Sequence, residues 1–441
     1  MQVLDFITLL IILAAIFTLV NVKYLKLPST IGLMILALGL SLFIVFGEAL
    51  FSALKHLSTD MMTRFKFSEV LFQVMLSFLL FAGALDMNVK KMGEEKWPIL
   101  ILATLGTLIS TFLVGTGIFY ALPIVDIHVD YIYCLLFGAL ISPTDPIAVL
   151  AMIKKTPVSK NLESQIAGES LFNDGVGVVV FITILSLAEQ GGAGHLEPGH
   201  IAIEFGKEVL GGLALGAIIG IIGLYLLKVI DNTHTEIEVL VTLSMVLGGA
   251  SVAKYIGVSG PLAMVVMGLW VGREGREKDA DAAGEYVYKF WHLMDEAMNA
   301  ILFILIGLQI IRIADELASQ SMVFLFAIPV AIVIVLISRL VGVGLPVSIM
   351  RIKRHFPSYT VRILTWSGLR GGISVALALS LYEPTEKGFL VPNNDVNIIT
   401  AMTYGVVLFS IVVQGLTVNK LFEKYDETNA DKAVVVEKTK P

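Results

Sequence analysis

The sequence predicts an all-α polytopic membrane protein of about thirteen transmembrane helices, built as inverted repeats with two broken helices that cross. Three observations carry this expectation. The chain is 56% hydrophobic and only 15% charged over 441 residues, whereas soluble domains run nearer about 25% charged. Apolar runs long enough to span a bilayer follow one another along most of the chain. Two of these runs, one in each half, are interrupted by proline or glycine beside a charged residue, a pattern that belongs to secondary transporters with broken helices at the midplane.

The first run, Val3–Val20, is apolar, but Asp5 stands where a signal peptide carries basic residues. It is also long for a signal-peptide core, so it is expected to stay as the first helix. The next are Pro28–Gly47, Val70–Leu85, Pro98–Leu122, Tyr131–Ile153, Gln165–Ala188 and Val209–Val229. The pair Ile237–Ala253 and Val258–Val271 is short and is split near Gly257–Pro261. Ala297–Ile311, Met322–Met350, Ile363–Leu381 and Val396–Phe422 complete the set. Residues 423–441 read as a short, charged cytoplasmic tail without fixed structure.

Lys and Arg in the loops set the expected orientation. One alternate set of loops holds Lys23, Lys26, Lys90, Lys91, Lys96, Lys154, Lys155, Lys160, Lys228, Arg273, Arg276, Lys278, Lys289, Arg351, Lys353, Arg354 and Arg362. The opposite set holds Lys55, Arg64, Lys66, Lys207, Lys254, Arg312 and Lys387. The richer set is assigned to the cytoplasm, which puts the N-terminus outside and the C-terminus inside. The pattern, with no large regulatory tail, fits a bacterial inner (plasma) membrane protein. There is no basic tract for nucleic acid. Cys134 is the single cysteine, so a disulfide framework and a thiolate metal site are excluded. The Gly211-Gly212, Gly216 and Gly220 series reads as helix packing, since a phosphate loop would need a lysine that is missing.

Four ionisable residues fall deep in apolar runs: Asp145, Asp174, Arg339 and Arg370. A mid-membrane charge costs about 3 kcal/mol on insertion scales, so each marks a functional site by default. At about 1.5 Å per helical residue the four lie about 11–16 Å from the cytoplasmic helix ends, in one slab.

The fifth segment reads Ser142-Pro143-Thr144-Asp145-Pro146. Two prolines break the helix, and such a break survives in a membrane only inside protein or against a cavity. The freed carbonyls and Asp145 then suit a cation. The sixth reads Glu169-Ser170-Leu171-Phe172-Asn173-Asp174. Ser170 and Asp174 share a face, and Glu169 and Asn173 the adjoining one. The twelfth reads Gly368-Leu369-Arg370-Gly371-Gly372, a second break. If the breaks cross, Asp145 neutralises two positive helix ends and Arg370 two negative ones; direct contact with the transported ion is the other role open to them. Arg339 is expected to be a fixed counter-ion, and Glu169 the partner of Arg339 or of Arg370.

With these three motifs in order, the chain resembles the NhaP/NHE-type monovalent cation–proton antiporters over about residues 1–422. The resemblance implies a core domain with the ion site (about residues 70–188 and 297–422) and a dimerisation scaffold (about 1–47 and 209–271), hence a homodimer. It implies that Asp174 binds the cation (Na+, with Li+) or the proton. Thr144, Ser170 and Asp145 would be further ligands of Na+, with Asn173 beside them. Glu169, Arg339 and Arg370 would form a charge network. An Asn-Asp pair resembles the electroneutral branch, one cation per proton. No cofactor and no enzymatic activity are implied. The chain departs from members with a Phe-Glu-Gly pattern in the third segment: here it reads Leu80-Phe81-Ala82-Gly83, and Ala82 cannot ligate through its side chain. A K+/H+ antiporter of the same mechanism is the nearest alternative. A cation channel would need a filter element, a sensor an output domain, and an intramembrane aspartyl protease would not need the prolines and ligand-like oxygens around its acids.

Overall fold

The computed structural model describes residues 3–46, 74–153, 160–189, 198–230, 235–277, 282–319, 323–354, 356–357, 359–382, 391 and 393–423. The tail after Glu423 and the loop positions Lys55, Arg64, Lys66, Lys154, Lys155, Lys278 and Lys387 lie outside them.

Among the described residues the protein is helical throughout, with one isolated antiparallel bridge between Asp145 and Leu369. The chain runs through α1 (Val3–Val20), α2 (Ser29–Phe46), α3 (Leu76–Leu85) and the short α4 (Val89–Glu94). Then follow α5 (Lys96–Ile101), which continues through a wider turn into α6 (Thr107–Ala121), α7 (Tyr131–Ile141), α8 (Ile147–Ile153) and α9 (Lys160–Glu189). The second half holds α10 (Pro198–Val229), α11 (Thr235–Ile256), α12 (Gly260–Glu277), α13 (Ala282–Ser319), α14 (Val323–Met350), α15 (Thr360–Trp366), α16 (Gly372–Ser380) and α17 (Asn393–Phe409). Among the described residues, eight helices are long and apolar enough to cross a membrane, and four shorter apolar helices accompany them. Every one of the thirteen segments expected from hydropathy overlaps helix.

The boundaries differ where charge masks helix. α13 begins at Ala282 and α10 at Pro198, each about a dozen residues before the apolar run that announces it. Polar residues end a hydropathy window but do not end a helix. The short pair near Gly257 is real: α11 and α12 are joined by a turn in which Gly257 takes φ +68°, a left-handed conformation open to glycine.

Without a hydrophobic force between helices in lipid, packing rests on small residues that let backbones approach. A side chain at Gly272 would meet the Leu85 carbonyl oxygen at 2.5 Å, and one at Gly268 the Phe81 carbonyl at 2.6 Å, so α12 lies directly on α3. Gly175 of α9 faces Leu262 of α12 at 2.6 Å, and Gly177 lies on the Pro143 ring. Trp291 of α13 is fully buried between Phe78 and Phe81 of α3 and donates its ring N–H to Thr242 of α11 at 3.0 Å. By contrast α1, α10, α11 and α14 present large apolar side chains outward, among them Ile12, Ile221, Leu240 and Ile337, as lipid-facing surfaces do.

Candidate functional site: two helix breaks over a cavity

The breaks between α7 and α8 and between α15 and α16 meet at the Asp145–Leu369 bridge. Every buried backbone group freed by a break must find another partner, and most can be traced here. The Asp145 N–H donates to the Leu369 carbonyl at 2.7 Å. The Thr144 N–H donates to Asn173 Oδ1 at 3.2 Å, and the Arg370 N–H to Ser410 Oγ at 2.9 Å. The carbonyls of Ser142 and Pro143, at the C-terminal end of α7, both accept from the Arg370 guanidinium, the latter at 2.9 Å. Arg370 thus sits at a negative helix end.

Asp145 takes the complementary position. Its Oδ1 accepts the Ile147 N–H at 2.9 Å, at the start of α8. Its carboxylate also lies against the Cα of Gly371, just before α16, so closely that a side chain there would collide with it. Gly371 is therefore glycine because Asp145 occupies the space a Cβ would need. The carboxylate faces two helix N-termini, whose unpaired N–H groups favour negative charge.

On α9 the residues divide by role. Asn173 clasps the first break from below: besides accepting from the Thr144 N–H, its Nδ2 donates to Thr144 Oγ1 at 2.8 Å. Ser170 Oγ donates to the Thr144 carbonyl. Glu169 pairs with Arg339 of α14 at 2.5 Å, and both are buried. Arg339 also donates to the Leu364 carbonyl at 3.1 Å and lies against Gly368, where a side chain would meet its Nε at 2.6 Å. Of the two arginines that sequence leaves open as partners of Glu169, the ion pair formed is with Arg339.

Asp174 is different. It is 9% exposed, yet among the described residues it has no hydrogen bond or ion pair. It opens instead onto a cavity of about 1120 Å³. Thr144, Asp145, Gly371 and Ser374 line the same cavity, as do Ala82 and Asp295. Ser170, Asn173, Glu169, Arg339 and Arg370 do not line it. The expected site residues are therefore brought together in two layers: Asp174, Asp145 and Thr144 face the cavity, and the rest hold them there. Ser374 and Asp295 went unnoticed in the sequence. Ser374 gave no signal, but Asp295 and Asn299 stand four residues apart, the same spacing as Ser170 and Asp174.

A buried, unpaired carboxylate beside a second carboxylate, in a cavity large enough for many waters between membrane helices, defines a cation- or proton-handling membrane protein. Its two arginines are already committed to other groups. The sequence profile of the family described as "Sodium/hydrogen exchanger, transmembrane" matches residues 10–424, and the chain belongs to that family. It is 43% identical to the Na+/H+ antiporter NhaP of Pseudomonas aeruginosa over 427 residues, 96% of each chain. It is 31% identical to the Na+/H+ antiporter NhaH of Halobacillus dabanensis, over 95% of this chain and 97% of that one. In fold it matches the sodium proton antiporter MjNhaP1 of Methanocaldococcus jannaschii, with a TM-score of 0.76 at 20% identity, covering 96% of this chain and 98% of that one.

Proposed function

We propose that the protein exchanges Na+, and also Li+, for H+ across the plasma membrane, one cation for one proton, with both ions competing for Asp174. The observation that carries this is the state of Asp174: membrane-buried, open to a cavity and without a counter-charge. The relatives named as Na+/H+ antiporters support Na+ as the cation.

The chemistry follows from charge. An ionised Asp174 is costly to carry through a low-dielectric barrier. A bound proton or a bound alkali cation neutralises it, and either one lowers that cost. The unliganded carboxylate does not cross, so the two ions must be exchanged. The oxygen-bearing residues beside it suit a hard cation that prefers oxygen ligands: Asp145 and Thr144 line the same cavity. The Ser170 hydroxyl is turned to the Thr144 carbonyl, so it acts by holding Thr144 in place. Ala82 lines the cavity and offers it only a methyl group.

The packing supports a division into two parts. α6, α7–α8, α9, α14, α15–α16 and α17 pack as one bundle, while α3 and α13 pack chiefly on α12 and α2. This supports a core of the first set moving against a scaffold of α1–α3 and α10–α13. The boundary then falls later than residue 70 and later than residue 297. The scaffold would form the homodimer. The cavity is lined by Leu19, Ser29, Asp86, Met87 and His292, which neighbour the Lys-rich loops. With those loops in the cytoplasm the described state is inward-open.

The test is proton flux in sealed proteoliposomes carrying an internal pH dye, with Na+, Li+ and K+ added in turn. Cation-triggered proton movement that is lost in Asp174→Asn supports the reading and ranks the ions. Exchange that persists in Asp174→Asn refutes it.

A further inference from the structure

We infer that Asp295 and Asn299 form a second cation station on the cytoplasmic wall of the cavity, which the ion occupies on its way to Asp174. This inference rests on the exchange function proposed above.

Asp295 lies on α13, opposite the broken helices, and lines the cavity that also receives Asp174, Asp145 and Thr144. Asn299, one turn on and 5% exposed, donates from Nδ2 to Asp295 Oδ1 at 3.1 Å. That bond fixes the carboxylate and leaves the Asn299 amide oxygen as an additional hard donor. The pair thus offers a carboxylate and a carbonyl from one helix face, at i and i+4.

Two further side chains point to a ligand in the space between. Asp174 is nine-tenths buried, and among the described residues its carboxylate has no partner. Ser374, 1% exposed on the first turn of α16, is a residue of the cavity lining, and among the described residues its buried hydroxyl has no hydrogen-bond partner. The two buried arginines do not neutralise Asp295, and among the described residues His292 is the basic group near it, charged only when protonated. Arg339 and Arg370 are held by Glu169 and by backbone carbonyls, and His292 pairs with Glu296 at 3.7 Å. Asp86 and Asp145 line the same cavity and add negative potential to it. Asp295 stands between His292 and Glu296, whose side chains are 70% exposed, whereas Asp174 is 9% exposed, so a cation entering from the Lys/Arg-rich side meets Asp295 before Asp174. Asp295 is on the scaffold, so when the core carries Asp174 to the other face the station stays behind. Its effect belongs to one face only.

The experiment measures half-saturating Na+ separately at the two faces, in everted and in right-side-out membrane vesicles. Wild type, Asp295→Asn, Asp295→Glu and Asp174→Asn are compared. Asp295→Asn keeps an acceptor for Asn299 but loses the charge. It is expected to raise half-saturating Na+ at the cytoplasmic face by about three- to tenfold, the size of one unit charge acting across a wet cavity. The maximal rate and the value at the external face stay within about twofold by the same argument, and Asp295→Glu restores the wild-type value. An unchanged cytoplasmic value overturns the inference, and so does an equal shift at both faces. Wild-type vesicles that exchange nothing, or Asp174→Asn vesicles that still exchange, would instead remove the transport reading itself.

Discussion

Replacing Glu169 by alanine is the most severe test of the charge network. Glu169 is 2% exposed and Arg339 5% exposed, with 2.5 Å between them. In Glu169→Ala the guanidinium stays buried with only the Leu364 carbonyl at 3.1 Å, and its Nε already lacks a partner. Breaking one side of a buried pair costs about 3–5 kcal/mol, because the orphaned charge keeps its desolvation penalty. A kcal/mol shifts melting by about 2–4 °C in domains of 150–250 residues and by less in a longer chain, so a loss of about 4–8 °C is expected here. The double variant Glu169→Ala/Arg339→Leu removes both charges and should recover at least half of that loss, since apolar replacement of a whole buried pair is often neutral. The assay is thermal unfolding of purified protein in detergent, followed by size exclusion of what remains folded. A single variant that melts with wild type would refute the reasoning. So would a double variant no better than the single.

Other substitutions probe neighbouring links. Gly371→Ala drives a methyl group into the Asp145 carboxylate and should lower Na+-driven proton flux by at least about tenfold, the equivalent of about 1.4 kcal/mol, while the protein still purifies as a folded species. Asn173→Ala removes two of the three side-chain bonds that hold Thr144, leaving that from Ser170; at about 1 kcal/mol for each net hydrogen bond, half-saturating Na+ in flux titrations should rise about thirtyfold. Arg354→Ala leaves Glu95, which is 1% exposed, with Gln165 at 2.7 Å as its remaining side-chain partner. The expected loss is about 1–3 kcal/mol of stability, read by the same melting assay, with little change in half-saturating Na+.

Sequence revealed the parts of the site that are costly to place in a membrane. Asp145, Asp174, Arg339 and Arg370 stood out because each interrupts an apolar run. The two breaks stood out because proline and clustered glycine cannot continue a helix unaided. For Asp145 and Arg370 dipole arguments offered opposed positions at the helix ends, with direct contact with the ion as the other role left open. What sequence left open depends on contacts between helices. Glu169 had two arginines within reach by depth, and only packing puts Arg339 beside it. Ser170 shares a face with Asp174, yet its hydroxyl turns to the Thr144 carbonyl, a choice made by a neighbouring helix. Asp295 was hidden for another reason. It stands among Lys289, His292 and Glu296, which together read as an interfacial loop. The helix in fact continues through them, with its polar side turned to the cavity.

The central claim is that one carboxylate takes either ion. Half-saturating Na+ measured against pH in proteoliposomes tests it most directly. If the ions compete at Asp174, half-saturating Na+ climbs toward tenfold per pH unit as the medium becomes more acid than the site, since protonated carboxylate must release its proton before Na+ binds. The maximal rate at saturating Na+ stays constant over that range. A half-saturating concentration that does not move with pH, while the maximal rate falls, would place the proton on a separate group and contradict the account.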